Sequence, residues 1–285
     1  MNEVTRRRLR YATNNVMLTV TGVCAVTIAG VLLFVLAYLL VKGASSLNLA
    51  FFTELPKPPG ELGGGMANAI VGSAKILGLA MLFGVPVGFL GGVYLAEYGN
   101  RWFSFAVRYF ADLLNGVPSI VIGIFAYTVL VMRQKHFSAL AGGVALGIMM
   151  IPIAVRSTEE FLRAVPVGLR EAALALGTPK WRMLLTVVIP AARDGIMTGI
   201  MLNLARVAGE TAPLLFTSLG NAFWSPGING ATDTLPVRIF HYSLSAYDDW
   251  HRQAWAGGFV LLMFILATNV LARLVVSRVK PRGTR

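Results

Sequence analysis

Long uncharged stretches alternate with short charged ones along the whole chain. Residues 11–41 contain no charged side chain. Residues 67–94 are apolar except for Lys75, and residues 109–132 are apolar after Asp112. Residues 137–155 are nearly all small or branched. Residues 191–219 are interrupted by Arg193, Asp194, Arg206 and Glu210, while residues 254–271 are again uncharged. Each block is long enough, at ~1.5 Å per residue, to cross ~30 Å of hydrocarbon as a helix. The pattern predicts an all-α polytopic membrane protein with six transmembrane helices. The first is read at 16–41 as a retained helix, because the core of a signal peptide is shorter and is followed by a small-residue cleavage site.

Composition agrees with a lipid environment. Of the 285 residues, 56% are hydrophobic and 13% are charged, about half the charge of an average soluble domain. Mean hydropathy is +0.68. The apolar residues lie in continuous blocks, not amphipathic stripes, which excludes a soluble protein with a large core. The net charge of +12 does not indicate nucleic acid, since Lys and Arg collect between the blocks and at both ends. Six crossings from an internal N-terminus leave 17 Lys and Arg inside and 6 outside, the bias expected of cytoplasmic loops. Arg133 and Lys135, in a very short outer loop, fit this least well. The chain divides into a basic cytoplasmic N-terminus at 1–15, a transmembrane domain at 16–276 with a cytoplasmic loop at 157–190, and a basic cytoplasmic tail at 277–285.

Other signals are weaker. Cys24, the single cysteine, excludes an internal disulfide and reads as a small residue packed on a neighbouring helix. His136, His241 and His251 lie in or beside loops with no ligand partner at metal spacing. Lys75 either snorkels, pairs or faces a pathway, and Asp112 reads as interfacial. The outer loops at 43–66 and 220–253 are long and irregular. The first holds Pro56, Pro58, Pro59 and the run Gly63, Gly64, Gly65, and the second holds Pro226, Gly227, Gly230, Pro236, Asp248, Asp249 and Trp250. They read as solvated connections or as surfaces for an external partner.

The longest inner segment has its own punctuation. Pro166 and Gly168 separate residues 169–176, rich in Ala and Leu, from the preceding helix, and Gly177 and Pro179 end that run. A second helix then runs to Pro190, where the next membrane helix starts. The result is a short helix across the inner face on two bends, which a partner can push as a lever. Glu171, Ala172 and Ala173, followed by Gly177, Val187, Ile189 and Pro190, complete the spacing of a known signature. The segment resembles the EAA motif of bacterial ABC importer permeases. That resemblance implies type I (MetI-like) permease architecture and assigns Glu171, Ala172, Ala173 and Gly177 to contact with an ATPase. No Gly-rich loop ending in Gly-Lys-Ser/Thr is present, so ATP hydrolysis is expected on another polypeptide.

Two more segments look like those of PstA-type phosphate-importer permeases. One runs from Asp112 through Asn115, Gly116, Val117, Pro118 and Ser119 to Gly123. The other runs from Ala205 and Arg206 through Gly209, Glu210, Thr211 and Pro213 to Phe216 and Thr217. Arg206 and Glu210 are four apart and would share a helix face, as a structural ion pair or as part of a substrate path. Pro213 would open the backbone beside them, and Thr211 and Thr217 add hydroxyls. The guanidinium fork suits phosphate oxygens, and a carboxylate can accept from the P–OH that phosphate keeps and sulfate lacks. Gly116 and Pro118 can break the third helix, giving either a plain kink or a helix start that offers N–H groups to an anion beside Asn115 and Ser119.

Together these resemblances imply an importer subunit that makes half of a phosphate pathway. Its partners would be a sister permease, two copies of an ABC ATPase holding ATP and Mg, and an external phosphate-binding protein, with no cofactor on this chain. The alternatives are a permease for molybdate, tungstate or sulfate, and a membrane component that senses phosphate without moving it.

Overall fold

The computed structural model describes residues 3–278, and among them no strand longer than an isolated bridge occurs. The helices are α1 (Glu3–Ala44), α2 (Leu49–Thr53), α3 (Ala67–Glu97), α4 (Arg101–Gly116), α5 (Ser119–Gln134), α6 (Ala139–Arg163), α7 (Val167–Ala175), α8 (Lys180–Ala208), α9 (Ala212–Thr217), α10 (Leu235–Ser243) and α11 (Asp248–Arg278). Five of them are long and apolar enough to cross a membrane singly, and α4 with α5 form a sixth, sharply bent candidate. The basic residues of the N-terminus are not a separate segment, because Arg6, Arg7, Arg8 and Arg10 already lie in α1. Most of the predicted tail, 279–285, lies outside the described residues.

The centre is the parallel pair α3 and α6, whose contacts advance in the same direction along both helices. Gly84, Gly88 and Gly92 form one stripe of α3, and a Cβ on them would meet α6 at 2.8 Å from the Gly147 carbonyl, 2.4 Å from the Ala154 Cβ and 2.5 Å from the Thr158 Cβ. Gly143 and Gly147 of α6 receive Leu79 and Phe83 in return. Lipid tails are as apolar as leucine, so membrane helices gain by close backbone packing, and small residues at a spacing of four provide it. Helix α8 packs on α6, where buried Asn203 donates its amide to the Met150 carbonyl at 2.8 Å. Helix α1 touches little besides α11, through Tyr38 on Trp255 and through Gly43, close to the Trp255 carbonyl. Cys24 is exposed on α1, not packed on a helix as its size suggested, because α1 is peripheral.

Three departures from the sequence reading matter. The break expected in the third span at Gly116 and Pro118 is far larger than a kink: α4 and α5 meet at a 101° bend around Val117 and Pro118. Helix α4 is amphipathic, with Trp102, Phe105 and Tyr109 exposed on one side and Arg108 turned inward. Second, no new helix starts at Pro190. Helix α8 runs through it, with a π-helical turn at Leu184–Val188 that accommodates a residue lacking an N–H. Third, the segment 220–253 is not irregular throughout. It contains α10 and the first turn of α11, where Trp250 stacks on Tyr242 at 4.4 Å.

Candidate functional site: a groove at the helix break and a lever at one end

The break between α4 and α5 makes a groove. Leu114, Asn115, Val117 and Ile122 form one side, Met149 and Ile153 of α6 the base, and Arg206 and Val207 of α8 the other side. The fold therefore brings Asn115 and Arg206 into one cleft, although they are 91 positions apart in the chain. Arg206 is exposed, and among the described residues no carboxylate pairs with it. Among the described residues its guanidinium, with five N–H donors, has no protein acceptor. Ser119 is the first residue of α5 and is half-buried beside Pro118, which caps that helix in an extended conformation.

Glu210 stands differently from its expected place. Helix α8 ends at Ala208, so Glu210 does not sit one turn above Arg206 on a shared face. The Gly209 and Glu210 amides turn back to the carbonyls of Arg206 and Val207 at 3.3 and 3.1 Å. No Arg206–Glu210 ion pair forms, because the chain leaves the helical path before the fourth residue. Thr211 begins the short helix α9 and is half-buried. Thr217 is fully buried and its hydroxyl donates to the Pro213 carbonyl at 2.7 Å, so it is committed to the backbone. Pro213 meets α5 at its glycine: a Cβ on Gly123 would lie 2.6 Å from the Pro213 Cα. The two signature segments thus pack directly on one another.

The lever lies at one end of the molecule. In α7, Glu171 and Ala172 face outward, while Ala173 is buried against Leu162, Val165, Met183, Leu184 and Val188. Gly177 follows with φ +77° and open space where a Cβ would stand. Val167, Leu169, Leu174, Leu176 and Trp181 are all exposed around it. Arg170 ties the lever to the body by pairing with buried Glu97 at the end of α3 and reaching the Leu162 carbonyl.

Residues 88–281 match the family described as binding-protein-dependent transport system inner membrane components. The chain belongs to this family. It is 46% identical over 250 residues to a protein of Yersinia pestis named phosphate transport system permease protein PstA, covering 87% of this chain and 85% of that one. It is 42% identical over 275 residues to a protein of the same name from Haemophilus influenzae, covering 96% and 97%. Among solved structures it resembles a chain of the MetNI methionine ABC transporter, at a TM-score of 0.59 and 18% identity over 76% of this chain and 95% of that one. It also resembles a chain of a bacterial alginate ABC transporter, at a TM-score of 0.63 and 16% identity over 96% and 97%. These two likenesses show the fold, which is that of ABC importer permeases. This family member is a multi-pass transport component of the inner membrane and not an enzyme.

Sequence reasoning missed one charged cluster. Glu159 of α6, only 4% exposed, accepts from Arg108 of α4 at 2.6 and 2.8 Å and from Arg163 at 3.0 Å, with Arg156 at 3.5 Å. Arg156 also pairs with Asp112 of α4 at 3.2 Å, so Asp112 has a definite partner. The spacing Arg156, Glu159, Arg163 was visible in the chain as i,i+3 and i,i+4 pairs. The fourth member could not be, because only the bend after α4 brings Arg108 against α6.

The opposite end is held by α3. Ser73 accepts the Leu235 amide at 2.8 Å, supplying the start of α10 with an acceptor from another helix. Asp233, fully buried, pairs with Arg238 and accepts the Thr234 amide at 3.0 Å. Burial pushes its carboxyl above the ordinary aspartate range, against the opposing pull of the Arg238 guanidinium. Lys75 does not snorkel: its ammonium donates to the carbonyls of Ser225 and, at 3.0 Å, Gly227.

Proposed function

We propose that this chain is a membrane-spanning half of an ATP-driven importer of inorganic phosphate, and that the groove at Asn115 and Arg206 contributes to the phosphate path. The observation that carries the substrate is the 46% identity to a phosphate transport permease across 87% of the chain. The groove supplies suitable chemistry: an unpaired guanidinium, a half-buried amide, and the start of α5 with Ser119 at the helix break. A guanidinium recognises a tetrahedral oxyanion by two parallel N–H bonds, which a lysine cannot reproduce. Glu210, two residues beyond the end of α8, is free to turn toward the path, where a carboxylate favours an anion that still carries a proton.

A sister permease would close the groove from its open side. Two ATPase subunits, which hold the ATP and Mg, would dock on α7 and the exposed Leu174, Leu176 and Trp181 beside it, and no cofactor is expected on this chain. An external phosphate-binding protein would meet the opposite end. The orientation follows from the charges: the α7 end and both termini face the cytoplasm, consistent with 17 Lys and Arg on that side against 6 outside. Closure of the ATPase pair then moves α7. The movement reaches α3 through Arg170 and Glu97, and Arg206 through the continuous helix α8, which carries it in its last turn. The route to the groove is thus a chain of rigid elements, as alternating access requires.

Radiolabelled phosphate uptake in a deletion strain complemented with this gene tests the reading. Arg206→Lys should lower uptake by about tenfold or more while membrane level and ATPase association stay normal. Wild-type uptake by Arg206→Lys and Arg206→Ala would remove the groove from the path. Failure of the unmutated gene to restore uptake would remove phosphate itself, and restored uptake of molybdate or sulfate would redirect the assignment.

A further inference from the structure

The segment between α9 and α10 folds into a closed loop with two different faces. Its ends meet at the bridge between Leu219 and Thr232, where the Thr232 amide donates to the Ser218 carbonyl at 3.3 Å. Leu219, at φ +61°, and Gly220, at φ +90°, turn the chain sharply into the loop. The non-glycine residue at positive φ is a cost that the surrounding contacts must maintain. The outer face carries exposed Phe223, Trp224 and Ile228. The inner face presents carbonyls to transmembrane helices, the Asn221 carbonyl among them, which accepts from Asn68 of α3 at 2.5 Å. Ser225 and Gly227 accept from Lys75 of α3, while Ile228 and Gly230 accept from the Leu140 and Ala139 amides at 2.9 and 3.1 Å.

Lys75 is the unusual member of this arrangement. It lies eight residues into α3, ~12 Å from its outer start, and is the one charge in the apolar stretch 67–94. A charge at that depth is expensive unless it is paired or hydrated. Among the described residues no carboxylate pairs with Lys75, and its contacts are neutral carbonyls alone. The buried ion pair nearby, Asp233 with Arg238, is complete without it. The closed loop therefore covers an ammonium whose charge is solvated but not neutralised. Such a group binds an oxyanion in preference to two amide carbonyls as soon as an oxyanion reaches it.

We propose that residues 219–232 are a lid over the outer mouth, that Lys75 is its latch, and that an incoming oxyanion opens the lid by taking the ammonium from the Ser225 and Gly227 carbonyls. The oxyanion is phosphate if the function proposed above holds, and the lid rests on that reading only for the identity of the anion. The loop base, tied at Leu219 and Thr232, serves as the hinge, so opening exposes what lies beneath without unfolding α9 or α10. Loops tied at their ends and packed by their own contacts move as units.

The test uses the complete transporter in cells, in a Cys24→Ser background, with a membrane-impermeant maleimide added from outside. The reporter is Ala139→Cys, at a fully buried position of α6 whose amide donates to the Gly230 carbonyl of the lid, and Ser218→Cys, at a fully buried position at its base, is the second reporter. Without phosphate, Lys75→Met should label about tenfold faster than the parent, and Lys75→Arg, which keeps charge and donors, should stay near the parent rate. Saturating inorganic phosphate should raise labelling of the parent and leave Lys75→Met unchanged. Equal labelling of Lys75→Met and parent with both reporters, in protein present at normal membrane level, would overturn the latch. A parent rate indifferent to phosphate, in cells that take up phosphate normally, would overturn release by the anion. The phosphate-free labelling ratio does not depend on what is transported, so the latch and the substrate assignment fail separately.

Discussion

Gly177 shows how one residue can be required for its backbone and for nothing else. A Cβ there would touch no neighbouring atom, yet the position holds φ +77°. A β-branched residue in that region costs about 1–2 kcal/mol, and the strain would be relieved by rotating α7 relative to α8. Gly177→Val should therefore insert normally but co-purify poorly with the proposed ATPase partner and lose most uptake. Co-purification at the parent yield would show that the turn tolerates the strain. Arg206 is the contrasting case, where the backbone is ordinary helix and the proposed role belongs to the side chain. The sequence marked it by depth in an apolar block, but its separation from Glu210 was hidden. A spacing of four means a shared face only while the helix continues, and α8 stops at Ala208.

Among elements, α4 gains most from tertiary contacts. Its outer side is exposed aromatic residues, and its inner side is attached to α6 by Glu159 and Arg108 and by Arg156 and Asp112. Removing the buried carboxylate leaves guanidinium groups facing one another with their shared acceptor gone. Glu159→Ala should cost about 3 kcal/mol, the scale of a broken buried pair, and should lower the unfolding temperature in detergent. Glu159→Gln, which keeps two acceptor directions, should cost less. An unchanged unfolding temperature in Glu159→Ala would mean that packing of Ser104 and Ala111 holds α4 without the charges. The pair α3 and α6 was more legible, because Gly84, Gly88 and Gly92 recur at helical spacing. Their partners on α6 were not, since the chain does not say which helix faces which.

At the scale of the whole molecule, counting α4 with α5 as one bent passage places 45–66, 135–138 and 218–247 at one end and 98–100 and 164–179 at the other. With the charge bias, position 180 should be cytoplasmic and position 223 external. In Cys24→Ser protein, an impermeant reagent added outside should label Phe223→Cys and spare Lys180→Cys in intact cells. Labelling at 180 from outside would invert or abolish the proposed orientation.

Hydrophobic blocks, loop charges and the spacing around Glu171 and Gly177 determined the number of spans, the side bias and the family. These are local quantities: each depends on what a residue prefers as its solvent, or on a few neighbours in the chain. The bend at Pro118 was half determined, since proline and glycine announced a break but not a turn of 101°. The groove, the Glu159 cluster and the lid on Lys75 were decided only by tertiary structure. Each joins residues separated by roughly 50 to 150 positions: Asn115 to Arg206, Arg108 to Glu159, Lys75 to Ser225. A buried charge must find a partner somewhere, but which one it finds depends on how the helices pack, and in lipid that is set by close fit between small residues and not by hydrophobicity.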